Sequence, residues 1–161
     1  HGVDVAIVNC AIIRGNKTYA AGSAFTPVEV AAEIAADQTL AIIELNGGQL
    51  LDTLEQAVSA LPVAGSAFPQ IAGIRMDVDL TKPAGTRVVK LTVNGNALDF
   101  ARTYTVATTT ALADGAEGYV QFKAAKRVDA PKVSIADDVA AYLQKTGVKD
   151  IKLLGRIEVL K

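Results

Sequence analysis

Histidine and cysteine are almost missing from this chain of 161 residues, which has His1 and Cys10 and no others. One cysteine excludes an intrachain disulfide and leaves the redox compartment open. One histidine and one cysteine exclude the clustered nitrogen and sulfur ligands of a transition-metal site. The carboxylates are scattered, without the spacing of a calcium loop. A single histidine at the first position also leaves no Ser-His-Asp set for nucleophilic hydrolysis. An excess of one charge is missing too: 16 basic residues face 17 acidic ones. That balance gives no argument for a nucleic acid or a membrane surface as partner. No apolar run approaches the roughly 18 residues that a membrane-spanning helix needs. The sequence does not open on methionine, and no signal peptide is expected within it. His1 therefore reads as a cleavage point or an expression remnant, and the chain is expected to be a piece of a longer protein.

What is present is half hydrophobic, enough for one domain, residues 1–161, with its own core. Residues 4–9 form a short apolar run with β-branched side chains, the pattern of a buried strand. Thr26-Pro27-Val28-Glu29 predicts a helix start, with Thr26 as cap, Pro27 at the first turn and Glu29 closing a capping box. That helix is expected to run to about Ala36. Thr39–Leu45 reads as a strand and Asn46-Gly47-Gly48 as the turn after it. Leu50, Leu51, Leu54, Ala57, Val58 and Leu61 recur at helical spacing. Residues 62–69, with two prolines, read as a loop. Ile74–Leu80 and Arg87–Val93 read as strands, and Asn94-Gly95 is a hairpin signal. Thr103–Thr108 is a further strand, 111–118 a small-residue loop, and 135–145 a helix capped by Ser134 and ended by Gly147. Ile157–Leu160 closes the chain as a strand. Helices and strands mixed around a central meander predict an α+β fold on a mixed β-sheet with flanking helices.

One stretch stands apart. In "NCAIIRGNKTYAAG", from residue 9, Asn9 and Arg14 bracket four residues with nothing strongly polar between them. A ligand anion between the two is one reading. A core-packed turn with two solvated polar groups is the other.

The phrases "DVAIVN…IR", "AFTPVEV", "TLAIIELNGGQLLDTLEQAV", "DLTKPAGTRV", "GAEGY" and "GRIEVL" occur here in one order. In that order they resemble the C-terminal domain of the 5′-nucleotidase and UDP-sugar hydrolase family, over about Asp4 to Leu160. The resemblance implies a layered αββα-type domain that supplies the substrate pocket. It also implies a separate N-terminal metallophosphoesterase domain as partner, which would carry the divalent metals and the catalytic residues. This chain is then expected to hold no catalytic residue, metal ligand or cofactor of its own. It would take a nucleotide or phosphorylated small molecule, and the resemblance alone implies a periplasmic, secreted or cell-surface location.

The resemblance also implies roles for three residues. Asn9 and Arg14 stand at the ends of a family motif that has three glycines where this chain has Cys10, Ala11 and Ile12. Arg14 would hold an anion with its forked, permanently charged donors, and Asn9 would orient it. Glu117 falls where relatives have an Asp that binds ribose hydroxyls, one methylene shorter. Each has an alternative: Arg14 as a solvated or ion-paired surface residue, Glu117 as a loop carboxylate capping nearby backbone. Cys10 reads as a small buried residue rather than a reactive thiol. Two aromatic positions that stack on the base in relatives match Ala35-Ala36-Asp37-Gln38 and Ala111. Tyr119 and Phe122 are the alternative stacking rings, although both also fit as core residues of a closing hairpin. Two readings follow. One is the substrate-recognition domain of a nucleotide phosphoesterase. The other is a non-catalytic binding or structural module with a degraded pocket.

Overall fold

A computed structural model describes residues 1–35, 38–147 and 153–160. The first strand, β1 (Val5–Asn9), leads into a single 3-10 turn, Cys10–Ile12. Helix α1 (Pro27–Glu33) starts where the sequence predicts: the Thr26 amide and hydroxyl both donate to the Glu29 carboxylate. Strand β2 (Leu40–Asn46) then runs straight into α2 (Gly47–Ala57). The expected turn at Asn46-Gly47-Gly48 is instead a helix cap. Asn46 and Gln49 exchange backbone-to-side-chain hydrogen bonds at 2.9 Å each, which satisfies two otherwise orphaned amides. Helix α2 ends at Ala57, so Leu61 lies beyond it.

Strand β3 (Pro69–Ala72) begins inside the stretch expected to be a loop, and β4 (Ile74–Asp79) follows after Gly73. Strand β5 (Val88–Val93) turns through Asn94 and Gly95, at φ of 48° and 84°, into the two-residue β6 (Asn96–Ala97). Strand β7 (Thr103–Thr109) leads into α3 (Thr110–Ala113), where a loop was expected. Helix α4 (Val120–Ala124) and strand β8 (Lys126–Val128) replace the expected closing hairpin. Helix α5 (Ile135–Thr146) carries the expected Ser134 cap, whose hydroxyl accepts from the Asp137 amide at 3.0 Å, and β9 (Ile157–Leu160) is the final strand. The expected end of α1 at Ala36 lies outside the described residues.

Two mixed sheets result, in the orders β3-β1-β7-β2-β8 and β6-β5-β4-β9. The α+β class is as expected, but the central meander builds a second sheet of its own. One continuous core holds Ile7, Ile43 and Val106 from the first sheet, Ile74, Met76 and Val78 from the second, and Leu50, Leu54 and Val58 from α2. Strand β2 is buried on both faces. Ala41, Ile43 and Leu45 point into that core, while Leu40 and Ile42 are buried on the other side, as are Val30 of α1 and Ala140 of α5. Helices α1 and α5 pack on each other, so they cover the face of the first sheet that the core does not. β1 lies in the interior of its sheet, flanked by β3 and β7.

Candidate functional site

β1 and β7 are parallel neighbours, with Val5 opposite Val106 and Ala6 opposite Ala107. Their C-terminal ends therefore leave the sheet side by side. The segments that emerge carry Asn9 and the Cys10–Ile12 turn on one side, and α3 with the 115–118 turn on the other.

Asn9 is buried, and its Nδ2 donates to the Ser66 carbonyl at 3.0 Å. The Ser66 hydroxyl in turn donates to Glu117 Oε2. Glu117 is exposed and sits at φ 56°, between Gly115 at 92° and Gly118 at 82°. A non-glycine residue in the left-handed region is uncommon. Here the flanking glycines let the turn curl so that the carboxylate reaches Ser66. Tyr119, next in the chain, is buried and donates its hydroxyl to the Ala67 carbonyl at 2.8 Å. Burial pushes its phenol well above the ordinary tyrosine range. Its ring lies 5.0 Å from that of Phe122, centroid to centroid, and Phe122 is fully buried. Neither ring is placed to stack on a ligand.

Cys10 is half-buried rather than buried. Its amide donates to the Phe68 carbonyl at 2.8 Å and its Sγ to the Gly65 carbonyl at 3.3 Å. The carbonyls of residues 65–68 thus receive Asn9, Cys10 and Tyr119 in succession. This segment lies between the two halves of the site. No sequence pattern marks it, because its contacts run through backbone oxygens and one short serine.

Arg14 is held differently. Its amide donates to the Glu33 carbonyl at 2.8 Å, and the Glu33 carboxylate accepts from the Gly15 amide at 3.0 Å and from Tyr19 Oη at 2.7 Å. Desolvation first, and the bond to Glu33 second, push the Tyr19 phenol up to about 12. The Arg14 guanidinium is exposed and takes part in no hydrogen bond or ion pair among the described residues. Of the three predicted residues, Asn9 and Glu117 are joined through Ser66. Arg14 stands at the far end of the same turn and is hydrogen-bonded to neither. Ala35 donates its amide to the Ile12 carbonyl at 2.8 Å, beside that turn. Ala111 is half-buried on α3. Of the rest of the matching stretch, Gln38 accepts the Ile135 amide on its carbonyl at 2.8 Å, and Ala36 and Asp37 lie outside the described residues. Among the described residues no three His, Cys, Asp or Glu side chains gather as a metal site would require.

The family described as "5′-nucleotidase, C-terminal domain" matches residues 1–126. The chain belongs to that family. It is 33% identical over 126 residues to a trifunctional nucleotide phosphoesterase of Bacillus subtilis, an alignment covering 74% of this chain and 9% of that protein. It is 30% identical over 134 residues to an apyrase of Aedes aegypti, covering 76% of this chain and 23% of that protein. The crystal structure of a 5′-nucleotidase precursor from Thermus thermophilus superposes on 99% of the chain with a TM-score of 0.90 and 32% identity, and the match covers 32% of that structure. This 5′-nucleotidase C-terminal domain therefore spans about a third or less of each of these proteins. Its fold, two mixed sheets with flanking helices, is that of the Thermus structure.

Proposed function

We propose that this domain is the substrate-recognition part of a nucleotide phosphoesterase and binds a nucleotide or phosphorylated small molecule at the C-terminal end of the β1–β7 pair. The observation that carries this reading is the Asn9–Ser66–Glu117 chain, which leaves an exposed carboxylate and an exposed guanidinium on segments leaving one end of one sheet. Glu117 would accept from a sugar hydroxyl, Arg14 would hold the phosphate, and Asn9 would fix the turn between them. The names of the relatives support the reaction class: a nucleotide phosphoesterase, an apyrase and a 5′-nucleotidase precursor. Hydrolysis itself would fall to a metallophosphoesterase domain of the same protein, N-terminal to this one and holding the divalent metals. This chain alone would turn nothing over. A periplasmic, secreted or cell-surface location goes with the same reading.

A second reading, a binding module whose pocket has degraded, is favoured by Cys10, Ala11 and Ile12, whose side chains occupy the turn, and by the burial of Tyr119 and Phe122. The two readings separate in an amide-shift titration with AMP. Saturable shifts at Asn9, Arg14, Ser66 and Glu117 support recognition. No shift there at millimolar AMP rejects it in favour of the module.

A further inference from the structure

A second constellation lies on the other sheet. In β4, Arg75 points away from the core, since Ile74 and Met76 on either side of it are buried. β9 runs parallel to β4, with Met76 opposite Ile157. One step earlier stand Arg75, on β4, and Arg156, the residue just before β9. Two like charges side by side on adjacent strands destabilise a sheet unless something offsets them. Among the described residues neither guanidinium meets a carboxylate within ion-pair distance. The next pair along, Asp77 and Glu158, does not supply one: Asp77 faces Lys90 at 3.9 Å.

Both arginines are instead anchored to main-chain oxygens. Arg75 Nη1 donates to the Leu154 carbonyl at 2.9 Å and to the Gly155 carbonyl at 3.4 Å, and Arg156 Nη1 donates to the Ile71 carbonyl at 2.8 Å. Each anchor takes one corner of a planar fork with five N–H donors and leaves the rest undirected. Arg75 and Arg156 line one cleft of about 180 Å³, with Gly73, Ile74, Thr92, Asn94 and Gly95 as its other walls. Gly73 (φ 76°) has no room for a side chain there: a Cβ would lie 2.6 Å from the Asp4 carbonyl. Asn94 is fixed by its Nδ2 donating to the same carbonyl at 2.9 Å.

We propose that this cleft is a binding site for a doubly charged oxyanion of the phosphate type, separate from the nucleotide site. Two pre-oriented guanidiniums match the charge and the fork geometry of a tetrahedral dianion. The Thr92 hydroxyl adds a neutral donor, and the anion offsets the repulsion built into the strand pair.

The test is a titration of the chain with inorganic phosphate at constant ionic strength, with chloride as control, followed by backbone amide shifts. The expected result is saturable shifts at Gly73, Arg75, Thr92 and Gly95 at low-millimolar phosphate, with no such response to chloride. Arg75→Gln and Arg156→Gln should each weaken phosphate at least tenfold, while Arg127→Gln, which removes a charge elsewhere, leaves it unchanged. Arg156→Gln loses a part-buried bond to Ile71, whereas Arg75→Gln loses only exposed bonds to Leu154 and Gly155, so Arg75→Gln decides if the Arg156 variant misfolds. An equal response to chloride, or wild-type phosphate affinity in Arg75→Gln, overturns the proposal. The result is independent of AMP shifts at Asn9 and Glu117, so failure of one site is distinguishable from failure of the other.

Discussion

Asn9 and Glu117 meet on one residue: Ser66 takes the Asn9 amide on its carbonyl at 3.0 Å and gives its hydroxyl to the Glu117 carboxylate. The two ends of the candidate site are therefore coupled through a segment that belongs to neither. Ser66→Ala should keep the first bond, which is to backbone, and lose the second. The expected loss of stability is about 0.5–1.5 kcal/mol, the net worth of an ordinary hydrogen bond, by denaturant unfolding. The Glu117 carboxylate should become more mobile in side-chain relaxation measurements, with the Asn9 amide unchanged. A loss of Asn9 order as well would show that the hydroxyl, not the carbonyl, sets the segment.

The two glycines that open α2 should respond in different ways to the same change. A Cβ at Gly47 would sit 2.2 Å from the Asp99 carbonyl and 2.7 Å from Phe100 Cα, both backbone. Gly47→Ala should cost about 1–3 kcal/mol or more, as overpacking against atoms that cannot yield does. A Cβ at Gly48 meets only the Asn46 side chain, at 3.3 Å. Gly48→Ala should change stability by less than about 1 kcal/mol, because alanine's better helix propensity offsets the close contact. Thermal unfolding of the pair checks both, and equal losses would contradict the packing described here.

Asp4 should make the fold acid-sensitive. Its carboxylate accepts from the Thr105 amide and hydroxyl at 2.9 Å each and from Arg102 at 2.6 Å. The backbone bond from Thr105 is the leading cause that holds it below the ordinary aspartate value of 3.8, while partial burial opposes. A depressed folded-state value means the stabilisation is present above pH 3.8 and lost as pH falls through and below it. Asp4→Asn should flatten the stability profile below pH 4 and cost about 1–3 kcal/mol at neutral pH. An unchanged acid profile would remove Asp4 from the account.

How much of this was legible beforehand depended on where the signal lies. The Thr26–Glu29 capping box, the Ser134 cap and Asn94-Gly95 are carried by side-chain type at fixed spacing, and α1, α5 and the hairpin appear where they predict. Asn46-Gly47-Gly48 has turn composition, yet it is a helix start, because Asn46 and Gln49 satisfy each other and only glycine fits under Asp99. β3 was hidden because Pro69 removes a donor. It is tolerated as the first residue of an edge strand. Thr110–Ala113 has too few residues to show a helical period. The site divided in the same way. Asn9, Arg14 and Glu117 came from the family phrases, whereas Ser66 works through a carbonyl and a short hydroxyl that no motif marks.

Base selectivity should be weak. Stacking of a base on an aromatic ring is worth about 1–3 kcal/mol, and the ring positions that the family resemblance implies fall at Ala35–Gln38 and Ala111, where this chain has no aromatic residue. Tyr119 and Phe122 are sealed in the core. AMP and ribose 5-phosphate should bind within about tenfold of each other, and Ala111→Phe should widen the gap in favour of AMP. A wild type that already prefers AMP by more than that margin has a base platform elsewhere.

The most direct test of nucleotide recognition by this domain is calorimetry of AMP with wild type, Arg14→Gln and Glu117→Ala. Both side chains are exposed, so the folds should survive and the affinities should be comparable. Millimolar binding is expected in the wild type, with a loss of tenfold or more in each variant, about 1.4 kcal/mol. Wild-type affinity in both variants, or no binding by the wild type, would contradict nucleotide recognition.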